Sequence, residues 1–241
     1  MTKIKNFAHN EMIIEQTNLS RFPLRGLGGL KAVVIGSTGM VGTELIKLLV
    51  QSDEYSEVIS LVRRKTNITH PKLSEHIVSF DLPLTWNHLI QGDVLYSCMG
   101  TTLAQAKSKE AQYVIDYTYQ YNVAQAASKN GMKRYVLISS AGANEHSKIF
   151  YSQMKGKLDA DVQKLPFESI TILRPGQLYG VRENQRPVEK AAIKVMFFLN
   201  KLHILRKYRP IHASEVARAM MHVAGMNKSG IYTLDELFEL K

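Results

Sequence analysis

The chain has 241 residues, of which 45% are hydrophobic and 22% charged, and this balance excludes a disordered protein. Its length suits one large domain with a buried core, or two small ones. The net charge of +10 is compatible with binding to an anionic membrane or a polyanionic cofactor, and also with a basic protein that binds neither. Because the sequence has no zinc-ligand spacing, no RNA-binding sheet signature and no lysine-rich tail, we expect no nucleic-acid partner.

From residue 31 onward, apolar runs of strand length alternate with helix-length segments. This alternation is typical of repeated βα units and a parallel sheet. The predicted strands are 31–36, 58–63, 76–80, 93–98, 133–139 and 169–173. The predicted helices are 41–51, 111–130, which ends at Gly131, and 150–164. Because the strands are continuously apolar, helices should cover both faces, and we predict a doubly wound α/β protein with a Rossmann fold.

Beyond Pro175 the pattern becomes less regular. Further predicted elements are a helix over 187–205, a helix over 214–224 capped by Ser214, and a strand over 230–233. We expect them to form a small C-terminal cap over about residues 176–241. It would be carried by a Rossmann domain that begins at residue 31, after an N-terminal extension over residues 1–30 whose role is open.

The predicted helix over 187–205 has one apolar stripe and one lysine stripe. A cap helix packed on the domain with a solvated basic edge explains this pattern. Docking on a membrane surface and a partner or homodimer contact are the alternatives. The sequence contains no apolar stretch long enough to span a bilayer and no signal peptide, so we expect neither secretion nor integral membrane association.

Three glycines follow the first predicted strand with the spacing Gly36-x-x-Gly39-x-x-Gly42. The first permits a tight turn, the second lets the backbone approach a pyrophosphate, and the third lets the helix pack on the strand. Glycine turns also end strands for steric reasons alone, but the order strand, loop, helix in the first βα unit favours a dinucleotide site. The residues predicted to bind the diphosphate are Gly36, Ser37, Thr38, Gly39, Met40, Val41 and Gly42.

Two arginines, Arg63 and Arg64, end the second predicted strand, where NAD-binding domains carry an acidic residue. The planar guanidinium group suits a 2′-phosphate, so we expect NADP as cofactor, with NADPH favoured over NADH. The alternative is a pair of solvated arginines at a strand end. Asp81, after the third predicted strand, could accept a hydrogen bond from the adenine amine or could be a plain loop aspartate.

Tyr151 and Lys155 are four residues apart on a predicted helix, which places them on the same side of it. An ammonium group near a phenol favours the phenolate, so such a tyrosine can exchange a proton with a carbonyl or alcohol oxygen. The helix follows a strand that ends at Ser139-Ser140, and sites in open α/β sheets form at that edge. A serine there can hydrogen-bond the same substrate oxygen.

These motifs together resemble the short-chain dehydrogenase/reductase superfamily, in particular its atypical and extended branches. The group typified by the human Tat-interacting oxidoreductase-like protein is the most similar. The motifs that carry the resemblance are Gly36-Ser37-Thr38-Gly39, Leu61-Val62-Arg63-Arg64, Cys98-Met99-Gly100-Thr101-Thr102, Asp116 in the long helix, Leu137-Ile138-Ser139-Ser140-Ala141-Gly142-Ala143, Tyr151-x-x-x-Lys155-Gly156 and Arg174-Pro175-Gly176. They cover roughly residues 31–225.

The resemblance implies a role for each matching residue. Tyr151 would be the proton donor or acceptor, Lys155 would also hold the nicotinamide ribose, and Ser140 would polarise the substrate carbonyl, with Ser139 as the alternative. The residues implied to line the cofactor further along are Cys98, Met99, Gly100, Ser139 and Pro175. The helix asparagine that completes a proton relay in many members has no secure counterpart, and Asn122 is the nearest candidate.

We therefore expect an NAD(P)H-dependent oxidoreductase that acts on a small carbonyl or alcohol. The alternatives are a nucleotide-sugar epimerase or dehydratase with tightly held NAD, and an NADPH-binding regulatory protein without turnover. The eight histidines show no ligand spacing, so no metal is expected. The single cysteine, Cys98, cannot form an internal disulfide, which fits a reducing compartment, and we expect a cytoplasmic protein.

Overall fold

A computed structural model describes residues 28–180 and 209–240. Its main sheet has seven strands in the order β3-β2-β1-β4-β5-β6-β9, and every neighbouring pair is parallel. The strands are β1 (Leu30–Ile35), β2 (Tyr55–Val62), β3 (Leu73–Ile77), β4 (Val94–Ser97), β5 (Arg134–Ile138), β6 (Ser169–Arg174) and β9 (Gly230–Thr233), and a separate pair consists of β7 (Leu178–Tyr179) and β8 (Ile211–His212). The predicted doubly wound α/β fold is confirmed.

Helices connect the strands and cover both faces of the sheet. They are α1 (Met40–Gln51), α2 (Leu103–Ala106), α3 (Lys109–Tyr113), a π-helical turn (Val114–Thr118), α4 (Tyr119–Lys129), α5 (Phe150–Val162) and α6 (Ala213–Met226). Single 3₁₀ turns lie at Pro83–Thr85 and Asn87–Leu89, and a longer one at Leu234–Phe238.

The core consists of two apolar layers, one on each face of the sheet. Alternate residues of a strand point to opposite faces, so Ala32 and Val34 of β1 pack under α1 and α6, while Val33 and Ile35 pack under α4 and α5. Both faces are buried, which explains why the strands lack a polar alternation. The strand order reverses between β1 and β4, and ligands of such sheets bind at the carboxyl ends of the strands beside that reversal.

The third strand begins and ends three residues earlier than predicted, over Leu73–Ile77 rather than 76–80. The residues after Ile77 do not extend the strand, because Phe80 turns into the core and packs its ring on Trp86 and Tyr119. β3 lies at the edge of the sheet, where a strand is half exposed and its apolar pattern is weaker. The prediction was therefore wrong in its boundaries.

The single long helix predicted over 111–130 is broken. The chain forms α3, then a π-helical turn in which the Tyr119 amide donates to the Val114 carbonyl, and then α4. A π-turn inserts one residue into the helix, and the spacing of apolar residues in the sequence does not reveal this insertion. The end of the helix follows the prediction, since Gly131 has a φ of +80° directly after the cap residue Asn130.

The segment beyond Pro175 contributes to the layers of the main domain. α6 packs beside α1, and β9 is the edge strand next to β6. His212 caps α6, not Ser214 as predicted: its ring Nδ1 accepts from the Ser214 amide at 3.2 Å, and Glu215 closes a capping box on the His212 amide. The predicted helix over 187–205 and the extension over 1–27 lie outside the described residues, so the domain boundaries stay predictions.

Candidate active site

The glycine loop follows β1 at its carboxyl end and lies beside the point where the strand order reverses between β1 and β4. Gly36 has a φ of +78°, and a Cβ on it would overlap the Met99 amide and lie 2.6 Å from the Cys98 carbonyl oxygen. The Cys98 amide also donates to the Ile35 carbonyl at 2.9 Å. Only glycine allows the two loops to approach this closely, as the spacing predicted.

No side chain among the described residues caps the start of α1. Its cap residue Gly39 offers no side chain, so no side-chain oxygen caps the first turn, and that turn contains no acidic residue. A Cβ on Gly42 would overlap the Gly36 carbonyl oxygen, so the third glycine packs the helix against the loop. The bare helix start provides amide protons and a positive dipole end for an anion.

Hydroxyl groups anchor the loop from beneath. The fully buried Ser37 receives a 2.7 Å hydrogen bond from Ser60 of β2, and Thr43 of α1 donates to the Ser37 carbonyl at 3.0 Å. Ser37 therefore fixes the loop to the sheet. Thr38 and Gly39 remain exposed above it, while Met40 is half-buried and Val41 is buried in the core.

A second part of the site lies at the ends of β2 and β3. Arg63 and Arg64 are exposed directly after β2. Asp81 is exposed as well, and its Oδ1 accepts a 2.6 Å hydrogen bond from the Tyr119 hydroxyl, whose ring stacks on Phe80. Burial and the Asp81 carboxylate raise the pKa of Tyr119 to about 12, opposed by Arg63. Asp81 and Arg63 thus both influence Tyr119, which was not among the predicted site residues.

The loop after β4 lines the glycine turn with backbone atoms. The Cys98 thiol points into the core, where its Sγ lies 3.7 Å from Met220 Sδ, and burial raises its pKa well above the ordinary range. Cys98 could therefore contribute only backbone atoms to a cofactor site. Met99 is half-buried, and Gly100 is exposed with the Asp116 carboxylate beneath it, 4.0 Å from where a Cβ would lie.

The loops after β5 and β6 are joined at the same edge. Ser139 is 6% exposed and its amide donates to the Leu173 carbonyl, while the Ala141 amide donates to the Pro175 carbonyl at 2.9 Å. Ser140 is half-buried, and its hydroxyl donates to the Ala141 carbonyl at 3.3 Å. Of the two serines, Ser140 is the more accessible.

Tyr151 and Lys155 both lie on α5 but differ in exposure. Tyr151 is 39% exposed, whereas Lys155 is 3% exposed and its Nζ donates to the Ile138 carbonyl across 3.5 Å. Within the described part of the chain no hydrogen bond joins the two side chains. The lysine side chain is directed toward the sheet, where its Nζ meets the Ile138 carbonyl of β5.

Two buried carboxylates beside Lys155 were not among the predicted site residues. Asp116 lies on the π-turn and Asp159 one helical turn after Lys155, and each is 1% exposed. Burial raises the pKa of both carboxyls, and the Lys155 charge opposes that rise in both. The predicted relay candidate Asn122 is a half-buried residue of α4.

Gly156 follows Lys155 and allows the loop before α5 to pack closely against the helix. A Cβ there would overlap the Asn144 carbonyl carbon and the Glu145 amide. We expect Gly156→Ala to lower the free energy of unfolding by about 3 kcal/mol, because backbone must move to make room. Urea denaturation measures this change. Alanine in an unhindered helix would instead gain about 1 kcal/mol, so unchanged or increased stability would contradict the contact.

An open surface depression of about 330 Å³ lies on the outer side of α5, lined by residues that include Tyr113, Phe150 and Lys157. None of the predicted catalytic or cofactor residues lines it. Within residues 28–180 and 209–240, the acidic, histidine and cysteine side chains form no cluster suited to a metal ion. The helices of those residues include none long and apolar enough to cross a membrane.

Solved structures define the class of fold. The chain is similar to ADP-L-glycero-D-manno-heptose-6-epimerase of Helicobacter pylori (TM-score 0.65, 18% identity, 86% of this chain and 77% of that one). It is also similar to the Bordetella bronchiseptica enzyme WbmH, solved with NAD⁺ (0.65, 16%, 85% and 75%), and to the Lactococcus lactis oxidoreductase ylbE (0.61, 20%, 87% and 95%). This chain is therefore a Rossmann-type α/β protein that shares the fold of these enzymes.

Sequence comparison assigns the family. The family model described as HIM1 matches residues 48–209. Protein FMP52-1, mitochondrial, of Scheffersomyces stipitis is 32% identical over 201 residues, covering 81% of this chain and 88% of the relative. Protein FMP52, mitochondrial, of Saccharomyces cerevisiae is 32% identical over 210 residues, covering 83% and 90%. The chain belongs to the HIM1 family and is related to the FMP52 proteins.

The relatives correct the expected location. They are named as mitochondrial proteins, so the prediction of a cytoplasmic protein is wrong. The prediction came from a lone cysteine and from the lack of a secretory signal. Those features bear on redox conditions and on secretion, and neither distinguishes the cytosol from a mitochondrion.

Proposed function

We propose that this protein is an NAD(P)-dependent oxidoreductase of the short-chain dehydrogenase/reductase type, acting on a small carbonyl or alcohol. The observation that carries the proposal is the fit of Gly36, Gly39 and Gly42 to a diphosphate. Side chains on Gly36 and Gly42 would collide with backbone, and Gly39 leaves the first amides of α1 uncovered. The glycine loop and the buried Lys155 lie in the same fold in which WbmH holds NAD⁺.

Each side chain around the carboxyl ends of β5 and β6 has a separate role in the proposed reaction. Tyr151 is exposed enough to meet a substrate and would donate or accept the proton at the carbonyl oxygen. Ser140 would hydrogen-bond the same oxygen, with Ser139 as the buried alternative. Lys155 would hold ribose hydroxyls and bring a positive charge toward the phenol. NADPH, when bound, supplies the hydride.

NADP is the proposed form of the cofactor because Arg63 and Arg64 are exposed where the adenosine ribose would lie. We expect the Arg63→Ala/Arg64→Ala double variant to bind NADPH roughly 10- to 100-fold more weakly and NADH with little change, since only the 2′-phosphate meets the arginines. Fluorescence titration with both nucleotides measures this. Lys65→Ala is the matched control and should change neither affinity. Equal losses for the two nucleotides would contradict NADP selection.

A nucleotide-sugar epimerase is the second candidate, favoured by the likeness to ADP-L-glycero-D-manno-heptose-6-epimerase. The chain covers 77% of that enzyme and 95% of the oxidoreductase ylbE. A finer proposal is that the chain resembles the Tat-interacting oxidoreductase-like group. It is based on the Arg174-Pro175-Gly176 and Tyr151-x-x-x-Lys155 motifs. We further propose that the protein is mitochondrial, as its relatives are named.

One experiment separates these functions. The purified protein is analysed for retained nucleotide by mass spectrometry and is then incubated with NADPH and a panel of aldehydes and ketones. NADPH consumption that depends on the carbonyl supports the oxidoreductase. NAD⁺ retained through purification, without net oxidation of added NADPH, would favour the epimerase. Binding of NADPH without turnover on any carbonyl would favour a regulatory protein and contradict the proposal.

A further inference from the structure

The loop over residues 98–101, which follows β4, lies between the glycine loop and the π-turn. On one side, a Cβ on Gly36 would lie only 2.6 Å from the Cys98 carbonyl oxygen. On the other side, a Cβ on Gly100 would lie 4.0 Å from Asp116 Oδ1. Because the loop after β4 has a close neighbour on each side, the groups that hold it on the π-turn side also set its position against the glycine loop.

Two buried side chains hold the backbone of Thr101 from the π-turn side. Asp116 Oδ1 accepts a hydrogen bond from the Thr101 amide at 2.7 Å, and Gln112 Nε2 donates to the Thr101 carbonyl at 3.3 Å. Gln112 is 3% exposed and Asp116 is 1% exposed. A hydrogen bond to a carboxylate is roughly twice as strong as one between neutral groups, so the bond to Asp116 is the stronger of the two. We call Asp116 and Gln112 together the Thr101 clamp.

The Thr101 clamp also sets which way the loop backbone faces. A trans peptide is planar, with its C=O and N–H on opposite sides, and the described residues contain no cis peptide bond. Because the Thr101 N–H points at Asp116, the carbonyl oxygen of Gly100 points away from Asp116. Gly100 is exposed, so this peptide group is accessible at the edge of the sheet where ligands of such folds bind.

The π-turn that carries Asp116 is itself fastened to the sheet. Gln120 donates from its side-chain amide to the Asp116 carbonyl at 2.7 Å, and Gln120 Oε1 accepts from the Ser97 hydroxyl at 2.7 Å. Ser97 is the last residue of β4, directly before the loop that the clamp holds. The loop and its clamp are therefore both anchored to the end of β4. π-turns occur frequently at functional sites.

We propose that Asp116 and Gln112 are positioning residues: the Thr101 clamp holds the loop after β4 at the distance from the glycine loop that a bound dinucleotide requires. The proposal rests on the function proposed above, in which the glycine loop binds the diphosphate and residues 98–100 line the cofactor. Neither clamp side chain needs to touch the cofactor. The clamp acts through Thr101 by ordering the loop before the cofactor binds, which lowers the ordering cost of binding.

The first test is amide hydrogen exchange in the ligand-free, ¹⁵N-labelled protein. In Asp116→Ala the Thr101 amide should exchange roughly 10- to 100-fold faster, because it loses a bond to a charged acceptor. Asp116→Asn keeps an oxygen that can accept the same bond, so it should retain most of the protection. The Cys98 amide, which donates to the Ile35 carbonyl, should exchange as in wild type in both variants.

The second test is NADPH affinity, measured by fluorescence titration. Asp116→Ala should bind NADPH roughly 10-fold more weakly, whereas Asp116→Asn should stay within about twofold of wild type. Asp161→Ala is the matched control. It removes an aspartate whose carboxylate is bonded to Tyr117 and Lys164, and it should change neither the Thr101 exchange rate nor the affinity.

Unchanged Thr101 exchange in Asp116→Ala would overturn the proposal, and so would faster exchange with unchanged NADPH affinity. Equal losses of affinity in Asp116→Ala and Asp116→Asn would assign the effect to the charge and contradict a hydrogen-bonding clamp. If Asp116→Ala does not fold, Gln112→Ala removes the neutral bond and should speed Thr101 exchange about 3- to 10-fold; no acceleration would overturn the proposal equally. A wild type that does not bind NADPH would refute the proposed function, while the exchange rates would still decide whether the clamp holds the loop.

Discussion

Tyr151→Phe is expected to lower the rate of carbonyl-dependent NADPH oxidation by roughly 10²- to 10⁴-fold, the usual contribution of a positioned acid or base. The phenol is the proton donor in the proposed reaction, and phenylalanine keeps the ring but removes that proton. Because Tyr151 is 39% exposed and no hydrogen bond to another described residue holds its hydroxyl, its loss should cost little stability. Steady-state kinetics and NADPH titration measure both effects.

NADPH affinity should stay within about twofold of wild type in this variant, since the tyrosine acts on the substrate and not on the phosphates. Tyr113→Phe serves as the control. It removes a hydroxyl from a ring that stacks on Tyr117 and lines the depression beside α5, which none of the proposed site residues lines, and it should keep full turnover. Unreduced turnover in Tyr151→Phe would assign the proton transfer to another group and contradict the proposed mechanism.

Gly39→Val should weaken NADPH binding by roughly 100-fold or more, equivalent to about 2.7 kcal/mol. Gly39 has a φ of −82° and a ψ of 167°, a conformation that valine adopts readily. Its Cβ would lie 3.3 Å from the Gly36 carbonyl oxygen, a tight contact that small shifts can relieve. The isopropyl group would then cover the amides of α1, where the diphosphate is proposed to lie.

Thermal unfolding separates a blocked site from a damaged fold, and the midpoint should change by only a few degrees. Gly28→Val is the matched control, because nothing lies within 4 Å of a Cβ at Gly28. That variant should bind NADPH as wild type does. Wild-type affinity in a folded Gly39→Val protein would show that the helix start takes no part in nucleotide binding.

Much of the fold was predictable because parallel strands buried on both faces have a strong local signature. The apolar runs at β1, β5 and β6 lie where the sequence indicated, and the glycines at 36 and 42 are forced by backbone contacts that their spacing anticipates. These features depend on short-range sterics and on burial. Both are encoded within a few residues of sequence.

The features that were missed depend on tertiary contacts. The local sequence does not reveal the π-turn, because Gln120, which donates to the Asp116 carbonyl of the turn, is itself held by a hydrogen bond from Ser97 on a strand distant in sequence. The cap of α6 is a histidine ring, a less common cap than the serine two residues later. The four-residue spacing places Tyr151 and Lys155 on one side of α5, but it does not reveal that Lys155 is buried with its Nζ directed to the Ile138 carbonyl of β5.

The most direct test of the central claim is a map of amide chemical shifts in ¹⁵N-labelled protein as NADPH is added. We expect the largest changes at residues 37–42, where the amides at the start of α1 would meet the diphosphate, with smaller changes at residues 99–101. Unchanged shifts at those amides, or the largest changes around Tyr113 and Lys157 beside α5, would contradict a diphosphate site at the glycine loop.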